Sequence, residues 1–479
     1  MKSKKKMTTT ALAVALAVLL LIGGGTFAYL QSTTGDVKNN FNTNKVMVEL
    51  SETGNGQYDI IPGTEQSKDP KVTVNNTVDA YVYVEVTDTT QGLVEYSIAD
   101  GWTPLDGFEG VYYREVAKST DPQVFSVLKD DKVSYSTALE NSNMLDAEGN
   151  LKEGIELTFK AHAIQKAGFD SAVAAYKQIP TEAATTAELT AALENEKAVT
   201  LNADNLTVPV GTITGKNVSV DLNKKTLTVT GGNETQNINE GQSVTFENGT
   251  VKFENGTNPN VAGISLNGNG SELNLKKVNV ETKNSILVAA GVDSATINIT
   301  DSTIITNAYY VVNTNAANSK TGKDVEINIK NSELTTSRTD NDDAGILFNI
   351  PGTLNIENST ITGDRQAVIV RCGTATIKDS TLICTAKDST LWAKYDNATW
   401  GSGNEVPVAT LVVGNRSTSA YAYNASCTLS NTTLTLGGGN TGRKLVYAAA
   451  CNGFTTTVNG IDENNVTIYQ GTDSTVTIK

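Results

Sequence analysis

The segment Leu354–Ile361 reads LNIENSTI, and the chain returns to this eight-residue pattern from about residue 244 onward. The first, third and eighth positions are mostly Ile, Leu or Val. The pattern is present at six further places: Val244–Val251, Leu273–Val280, Ile297–Ile304, Ile327–Leu334, Ala375–Leu382 and Cys427–Leu434. The starts lie 29, 24, 30, 27, 21 and 52 residues apart, and we interpret the last interval as about two periods. Repeats of this length predict a solenoid, whose units bury their apolar faces against their neighbours.

Apolar and polar residues alternate over the first three positions of each unit, which is typical of a strand with one face inward. The fifth position is Lys277 in one unit and otherwise Asn or Asp, which tolerate the left-handed backbone of a turn: Asn248, Asp301, Asn331, Asn358, Asp379 and Asn431. We therefore predict strand, corner and strand within each coil of a parallel β-helix. The predicted inward ladder is Ile299, Ile329, Ile356 and Ile377.

These units resemble the right-handed parallel β-helix, or pectate-lyase-like, fold. A leucine-rich repeat is the alternative, but the units lack its L-x-x-L-x-L-x-x-N spacing. A helix is predicted ahead of the repeats, from Thr186 to about Asn195, because Thr185 and Glu188 fit a capping box. Leu189, Ala192 and Leu193 share one face of this helix, and we expect them to cover the first coil.

The N-terminus has the order of a secretory signal. Four lysines lie within residues 2–6, an apolar run covers Ala11–Ile22, and small residues follow. The run is shorter than the roughly 20 residues of a membrane-spanning helix. We expect cleavage at Ala28 and Tyr29, so that residues 1–29 are removed and the mature protein has no membrane span. A retained anchor is the alternative.

The strings GGTFAYL (24–30), IPG (61–63), KDP (68–70) and AYVYV (80–84) occur in one order. Because these strings occur in this order, residues 1–178 resemble the TasA/camelysin family. The resemblance implies export from a Gram-positive bacterium, a jelly-roll-like β-sandwich and a role in biofilm fibres or surface layers. It also implies self-assembly through the mature N-terminus, Leu30–Asn40, added as a strand to a neighbouring copy.

Residues 30–178 contain short alternating runs separated by Gly, Pro, Asp and Asn clusters, which favour an antiparallel sandwich. A short helix is expected within Phe169–Tyr176. We therefore predict an all-β chain with three parts: a signal peptide (1–29), an antiparallel jelly-roll-like sandwich (30–178) and a right-handed parallel β-helix (179–479) with its short N-terminal capping helix.

The formal net charge of −15 becomes −19 once the four signal lysines are removed. This acidity argues against nucleic acid or an anionic membrane as a partner. Four cysteines lie in the solenoid, and Cys427 and Cys451 are 24 residues apart, close to one coil. An exported protein can form a disulfide there; the alternative is that each cysteine is a small buried hydrophobe.

Catalytic signals are sparse. Asp340, Asp342 and Asp343 are the best carboxylate cluster and a weak Ca²⁺ candidate, but they lack the full calcium-loop spacing and fit a solvated loop better. Arg365 and Arg371 flank an apolar strand, and we expect both to lie on the surface. The sole histidine, His162, is in the sandwich, which excludes His-based chemistry in the solenoid. No cofactor is predicted.

We therefore expect a secreted or cell-surface structural or adhesive protein, whose solenoid presents a long face to a glycan or another cell-surface ligand. The alternative is a polysaccharide lyase or glycoside hydrolase with a groove along the solenoid. The sequence favours the non-enzymatic function without excluding the other.

Overall fold

The computed structural model describes residues 44–53, 56–150, 152–254, 262–314, 322–338, 344–386, 408–414, 423–437 and 443–479, and Val46–Lys479 form one compact unit. Strands dominate, which confirms the all-β prediction. The α-helices of this described part are α1 (Asn141–Met144), α2 (Ala172–Lys177) and α3 (Thr186–Glu194), and short 3-10 turns cover Lys129–Asp131 and Glu463–Asn465.

The front of this unit consists of antiparallel sheets. The strand orders are β1-β3-β7 and β5-β6-β4-β9, with a separate β2–β8 pair. The strands are β1 (Val46–Ser51), β2 (Glu65–Ser67), β3 (Lys71–Asn76), β4 (Ala80–Asp88), β5 (Thr103–Pro104), β6 (Val111–Val116), β7 (Gln123–Ser126), β8 (Lys132–Ser134) and β9 (Leu157–Gln165).

The two larger sheets share one core. Val72 and Val74 of β3 belong to the same buried cluster as Val82 and Val84 of β4, and all four are fully buried. Trp102 closes this core and donates its indole N–H to the Ser126 carbonyl at 2.9 Å. Alternation along β1 and β3 therefore marked the inward faces correctly, and the two sheets pack as an antiparallel sandwich.

The solenoid follows, with all its strands parallel, in three columns. A first column runs β10-β11-β13-β16-β18-β20-β23-β26-β29-β32-β35-β37, and a second runs β12-β14-β16-β18-β21-β24-β27-β30-β33. β16 and β18 extend through the corner and belong to both columns. These strands are β10 (Thr181–Ala183), β11 (Val199–Leu201), β12 (Asn205–Pro209), β13 (Asn217–Asp221), β14 (Thr226–Thr230), β16 (Ser243–Glu254), β18 (Glu272–Thr282), β20 (Thr296–Thr300), β21 (Thr303–Thr306), β23 (Val325–Lys330), β24 (Glu333–Thr336), β26 (Gly352–Glu357), β27 (Thr360–Gly363), β29 (Gly373–Lys378), β30 (Thr381–Cys384), β32 (Ala425–Ser430), β33 (Thr433–Leu436), β35 (Thr455–Asn459) and β37 (Thr475–Ile478).

The third column is a separate nine-stranded sheet, and many of its strands are buried on both faces. For example, Ile346 points into the solenoid core, while the adjacent Leu347 joins an outer apolar cluster with Ile369, Val412 and Tyr447. Its strands are β15 (Gln236–Ile238), β17 (Ala262–Leu266), β19 (Ser285–Val288), β22 (Tyr310–Thr314), β25 (Ala344–Phe348), β28 (Gln366–Val370), β31 (Leu411–Gly414), β34 (Val446–Ala450) and β36 (Val466–Gln470).

Two expectations fail in these coils. Arg365 and Arg371 are not on the surface: each is 1% exposed, because the outer face of the third column is itself buried. The 52-residue interval is not two periods either. Ala375 pairs directly with Cys427, so a single coil spans the whole interval.

The predicted inward ladder is confirmed. Ile299 pairs with Ile329, Ile329 with Ile356, and Ile356 with Ile377, and all four side chains are buried in one continuous core. The capping helix is confirmed as α3. The Thr185 hydroxyl accepts the Glu188 N–H at 3.2 Å, and the Glu188 carboxylate accepts the Thr185 N–H at 3.0 Å. Leu189 and Leu193 enter the solenoid core.

Charged side chains meet where the sandwich joins the solenoid. The Tyr176 hydroxyl donates to Glu85 at 2.5 Å, and His162 Nε2 lies 3.3 Å from the same carboxylate. Burial acts to raise the pKa of Glu85, but the His162 and Tyr176 side chains outweigh it and lower that pKa to about 2. From the solenoid side, the Lys197 ammonium donates to the Tyr176 carbonyl at 3.2 Å and lies over the Tyr176 ring.

The inward position of Ile356 generates a stability prediction. Ile356→Asp places a carboxylate in the stack, which costs several kcal/mol of folding free energy unless the group stays protonated. We expect a lower melting temperature and earlier proteolysis of the adjoining coils, since solenoid stability is largely a sum of neighbour terms. Ile305→Asp is the matched control, because Ile305 is 49% exposed. Equal melting temperatures for the two variants would contradict the register.

The buried ammonium of Lys197 generates a pH prediction. Burial lowers its pKa from 10.5 to about 8, so the folded state disfavours the charged form, and stability rises as the pH increases from about 8 toward 10.5. We expect the unfolding free energy, relative to Lys197→Met, to rise by on the order of 1–3 kcal/mol between about pH 7 and about pH 10.

Chemical denaturation of both proteins across this range measures the effect. Lys177→Met is the control, because it removes the nearby Lys177–Glu196 ion pair and leaves Lys197 in place. A difference between the unaltered protein and Lys197→Met that stays constant with pH would contradict the assignment.

Candidate functional site

The corner of each coil is a residue with left-handed backbone, as the sequence predicts. The φ angles lie between 47° and 59° at Asn248, Lys277, Asp301, Asn331, Asn358, Asp379 and Asn431. Asn and Asp adopt this region more readily than other non-glycine residues, because their short side chains bond locally. Lys277, at φ 54°, lacks that compensation.

The corner side chains form a ladder in which each Asn donates its amide N–H to the preceding coil. Asn331 donates to Asp301 at 2.9 Å, and Asn358 donates to Asn331 at 2.8 Å. Asn248 donates to Asp221 at 3.3 Å, and Asn431 donates to Asp379 at 2.7 Å. Because an ionised Asp only accepts, each of these runs starts at an Asp. The Asn431 amide holds the pKa of Asp379 below its ordinary value.

A second ladder lies directly inside the first and consists of buried serines. The Ser302 N–H donates to Ser332 Oγ, the Ser332 N–H to Ser359 Oγ, and the Ser359 N–H to Ser380 Oγ, at 3.0–3.1 Å. These bonds satisfy backbone donors that the corner would otherwise leave buried and unpaired. In the coil of Lys277 the serine position is Val278, which supplies no hydroxyl, although its N–H still donates to Ser302 Oγ at 3.1 Å.

A concave surface runs along this corner across successive coils, and we call it the corner groove. It encloses about 730 Å³ and is lined by Asp221, Asn223, Lys224, Asn248, Gly249, Thr250, Lys277, Val278, Asn279, Asp301 and Thr303. Its wall at Asn279 is shared with a second concavity of about 760 Å³ that includes Glu281 and Ile305. Amide, hydroxyl, ammonium and carboxylate groups therefore recur at the strand spacing, ~4.8 Å.

An outer row of amides runs beside the groove on the first column. Asn298 donates to Asn274 at 2.8 Å, Asn328 to Asn298 at 2.9 Å, and Asn355 to Asn328 at 2.8 Å. Asn298 and Asn328 also donate to Glu272 at 3.4 Å and to Glu326 at 2.9 Å, so both N–H donors of each amide are used and only the amide oxygen, with its second lone pair, has further capacity on the outer face. The sequence pattern displayed these Asn residues, but only the register shows that they align.

The sequence-predicted site residues are not brought together here. Asp340, Asp342 and Asp343, together with the cleavage positions Ala28 and Tyr29, lie outside the described residues. Within the described ranges, no group of three or more His, Cys, Asp or Glu is arranged to hold a metal ion. Over the same ranges, no helix is long and apolar enough to cross a membrane.

The Cys427–Cys451 disulfide is not formed in the structure: Cys372, Cys384, Cys427 and Cys451 are all buried and outside any disulfide bond. Cys427 is in the first column, between Ala375 and Val458 of the adjoining coils, whereas Cys451 follows a third-column strand. Burial raises the pKa of the Cys427 thiol to about 12, which makes it a poor nucleophile.

Comparisons with known proteins identify no family: no protein-family model matches the chain, and no curated protein matches it. Among solved structures, the Agl-KA catalytic domain is similar at 12% identity and TM-score 0.23, covering 91% of this chain and 97% of that chain. A GH87 alpha-1,3-glucanase catalytic domain in complex with tetrasaccharides is similar at 9% identity and TM-score 0.25, covering 90% and 95%. At these TM-scores the likenesses carry no argument about activity.

The break in the corner ladder predicts that Lys277→Asn is stabilising. An Asn at this position tolerates the left-handed backbone and can donate to the Asn248 amide oxygen, as the other ladder residues do. We expect a gain of about 1 kcal/mol in unfolding free energy. Lys276→Asn is the matched control, because it loses only the 3.9 Å contact with Glu247. Denaturant unfolding compares the two variants, and destabilisation by Lys277→Asn would refute the ladder argument.

Proposed function

We propose that this protein is an extracellular structural or adhesive protein whose solenoid binds an extended polysaccharide in the corner groove. The observation that carries the proposal is a groove that crosses several coils and repeats its hydrogen-bonding groups at each one. Solenoids characteristically use such extended surfaces for binding. The TasA/camelysin resemblance of residues 1–178 supports the surface or biofilm-matrix setting.

The chemistry of the groove suits a polymer rich in hydroxyl groups. Thr250 and Thr303 supply hydroxyls and Asn279 supplies an amide, and these three partly exposed residues lie in register on adjacent coils. Each group both donates and accepts, as a sugar hydroxyl does. A polymer with a repeated unit can therefore make the same contacts several times, which adds avidity without a deep pocket.

The described carboxylates do not themselves point to catalysis. A general acid for glycoside hydrolysis needs a raised pKa. Among the described Asp and Glu residues, those with a shifted pKa have it lowered, and Glu85, Glu196 and Asp204 are examples. The enzymatic alternative is a polysaccharide lyase or glycoside hydrolase that acts in a groove along the solenoid.

Self-assembly through Leu30–Asn40 belongs to the same proposal. That segment lies outside the described residues. An acceptor for an added strand is available in the sandwich, since β7 is an edge strand and its Val124 is 58% exposed.

A binding experiment tests the groove. Affinity electrophoresis or calorimetry with a panel that includes alpha-1,3-glucan, pectin and alginate is expected to detect binding that Asn279→Trp weakens at least about tenfold, because the ring fills the wall shared by both concavities. Thr376→Trp is the matched control on an exposed strand position outside the groove. Melting temperatures confirm that both variants fold.

The same incubations distinguish binding from catalysis. We expect no new reducing ends and no unsaturated sugar products over the course of the assay. Product formation by the unaltered protein would overturn the non-enzymatic function, and failure to bind any polymer of the panel would overturn the glycan-binding function.

A further inference from the structure

Two lysines line the corner groove with left-handed backbone. Lys277 has φ 54° and Lys224 has φ 64°, and both side chains are exposed. A long side chain in this conformation costs roughly 1–2 kcal/mol relative to the right-handed region. Strain of this kind persists where the surroundings impose it, and it clusters at ligand-binding sites.

Among the described residues, neither lysine forms an ion pair, unlike the lysines beside them. Lys225, Lys252 and Lys276 each pair with a carboxylate of an adjoining coil, at 2.7, 2.9 and 3.9 Å. Within the described residues no carboxylate lies within 4.0 Å of the Lys224 or Lys277 ammonium. The ammonium groups therefore remain available in a protein that is otherwise acidic.

The carboxylates of the groove are already engaged by ladder bonds. Asp221 accepts the Asn248 amide and the Asn223 backbone N–H, and Asp301 accepts the Asn331 amide. Both Asp residues thus serve the corner geometry while keeping their charge, and the groove presents two exposed ammonium groups beside them.

We propose that Lys224 and Lys277 form an anion subsite that binds carboxylate groups of an acidic polysaccharide. Their corners are separated by the coil of Asn248, so the two backbones are two coil spacings apart, roughly 9.6 Å. A chain that carries carboxylates along its length contacts both ammonium groups while its hydroxyls contact Thr250, Asn279 and Thr303. This inference rests on the proposed glycan-binding function and specifies the charge of its ligand.

A pair of polymers with the same backbone tests the subsite. Polygalacturonate and its methyl ester share one backbone, and esterification replaces each charged carboxylate by a neutral group that carries an added methyl. We expect the unaltered protein to bind the acid more tightly, and the salt dependence identifies the part due to charge, because that part is lost as NaCl is raised. Lys277→Asn and Lys224→Asn are each expected to weaken binding of the acid by about fivefold. Binding of the ester is expected to remain unchanged in both variants.

Lys276→Asn is the matched control, since it removes an equal charge one residue away on a strand position that does not line the corner groove. Binding of a polyol-phosphate polymer to the same proteins is also measured. Lysine-dependent binding of that polymer, with no binding of the acid, would overturn the carboxylate assignment.

The outcomes separate the two proposals. If the unaltered protein binds the acid and both groove variants bind it equally well, the anion subsite is wrong and the glycan-binding function stands. If the unaltered protein binds neither polymer and none of the wider panel, the glycan-binding function fails and the subsite fails with it. Loss of acid binding in Lys276→Asn to the same degree would show a diffuse charge effect and would also overturn the subsite.

Discussion

The stacking of this solenoid depends on a left-handed residue that recurs at the same place in successive coils. The strands on either side of the corner remain in register only if the chain turns after the same number of residues each time. Asn and Asp meet the conformational demand because they tolerate positive φ. Stacking then brings their side chains within hydrogen-bond distance of the adjoining coil, so one local choice produces both the turn and a bond between turns.

The corner ladder of Asn and Asp side chains and the inner serine ladder contribute differently to stability. The inner serines are buried, and their hydroxyls accept backbone N–H groups while donating to carbonyls two residues earlier, as at Ser332 and Ser359. Leaving those groups unpaired would cost about 1–3 kcal/mol each. The corner amides Asn331, Asn358 and Asn431 are exposed, and a hydrogen bond there contributes less because water competes. The serine ladder therefore contributes more to the folding free energy than the corner amides do. Substitutions at the corner positions cost less stability, so these positions can acquire ligand-binding side chains.

The sequence predicted the first and second columns because one face of their strands meets solvent. Alternation was visible at Ile297–Ile299 and Leu354–Ile356, and it placed the inward ladder correctly. The third column was not recognised as a repeat, since strands such as Ala344–Phe348 are buried on both faces and show no alternation. The same burial explains why Arg365 and Arg371 were misplaced: both flank an apolar strand, and the sequence does not show that the outer face of this strand is covered.

The groove was less accessible to sequence reasoning than the fold. The sequence pattern showed Lys277 as an exception to the Asn or Asp at the corner but gave it no role. Its role can be inferred only once the corner residues of the adjoining coils, with which an Asn would bond, are known. Lys197 provides the contrast. Its ammonium is buried, which disfavours the charged form. The group nevertheless lies over an aromatic ring near a carboxylate and joins two parts of the chain. Local rules are broken at functional or strained positions. The buried, partnered Lys197 has a structural role, whereas Lys277 is exposed and strained, has no carboxylate partner among the described residues, and is the position at which we propose a ligand.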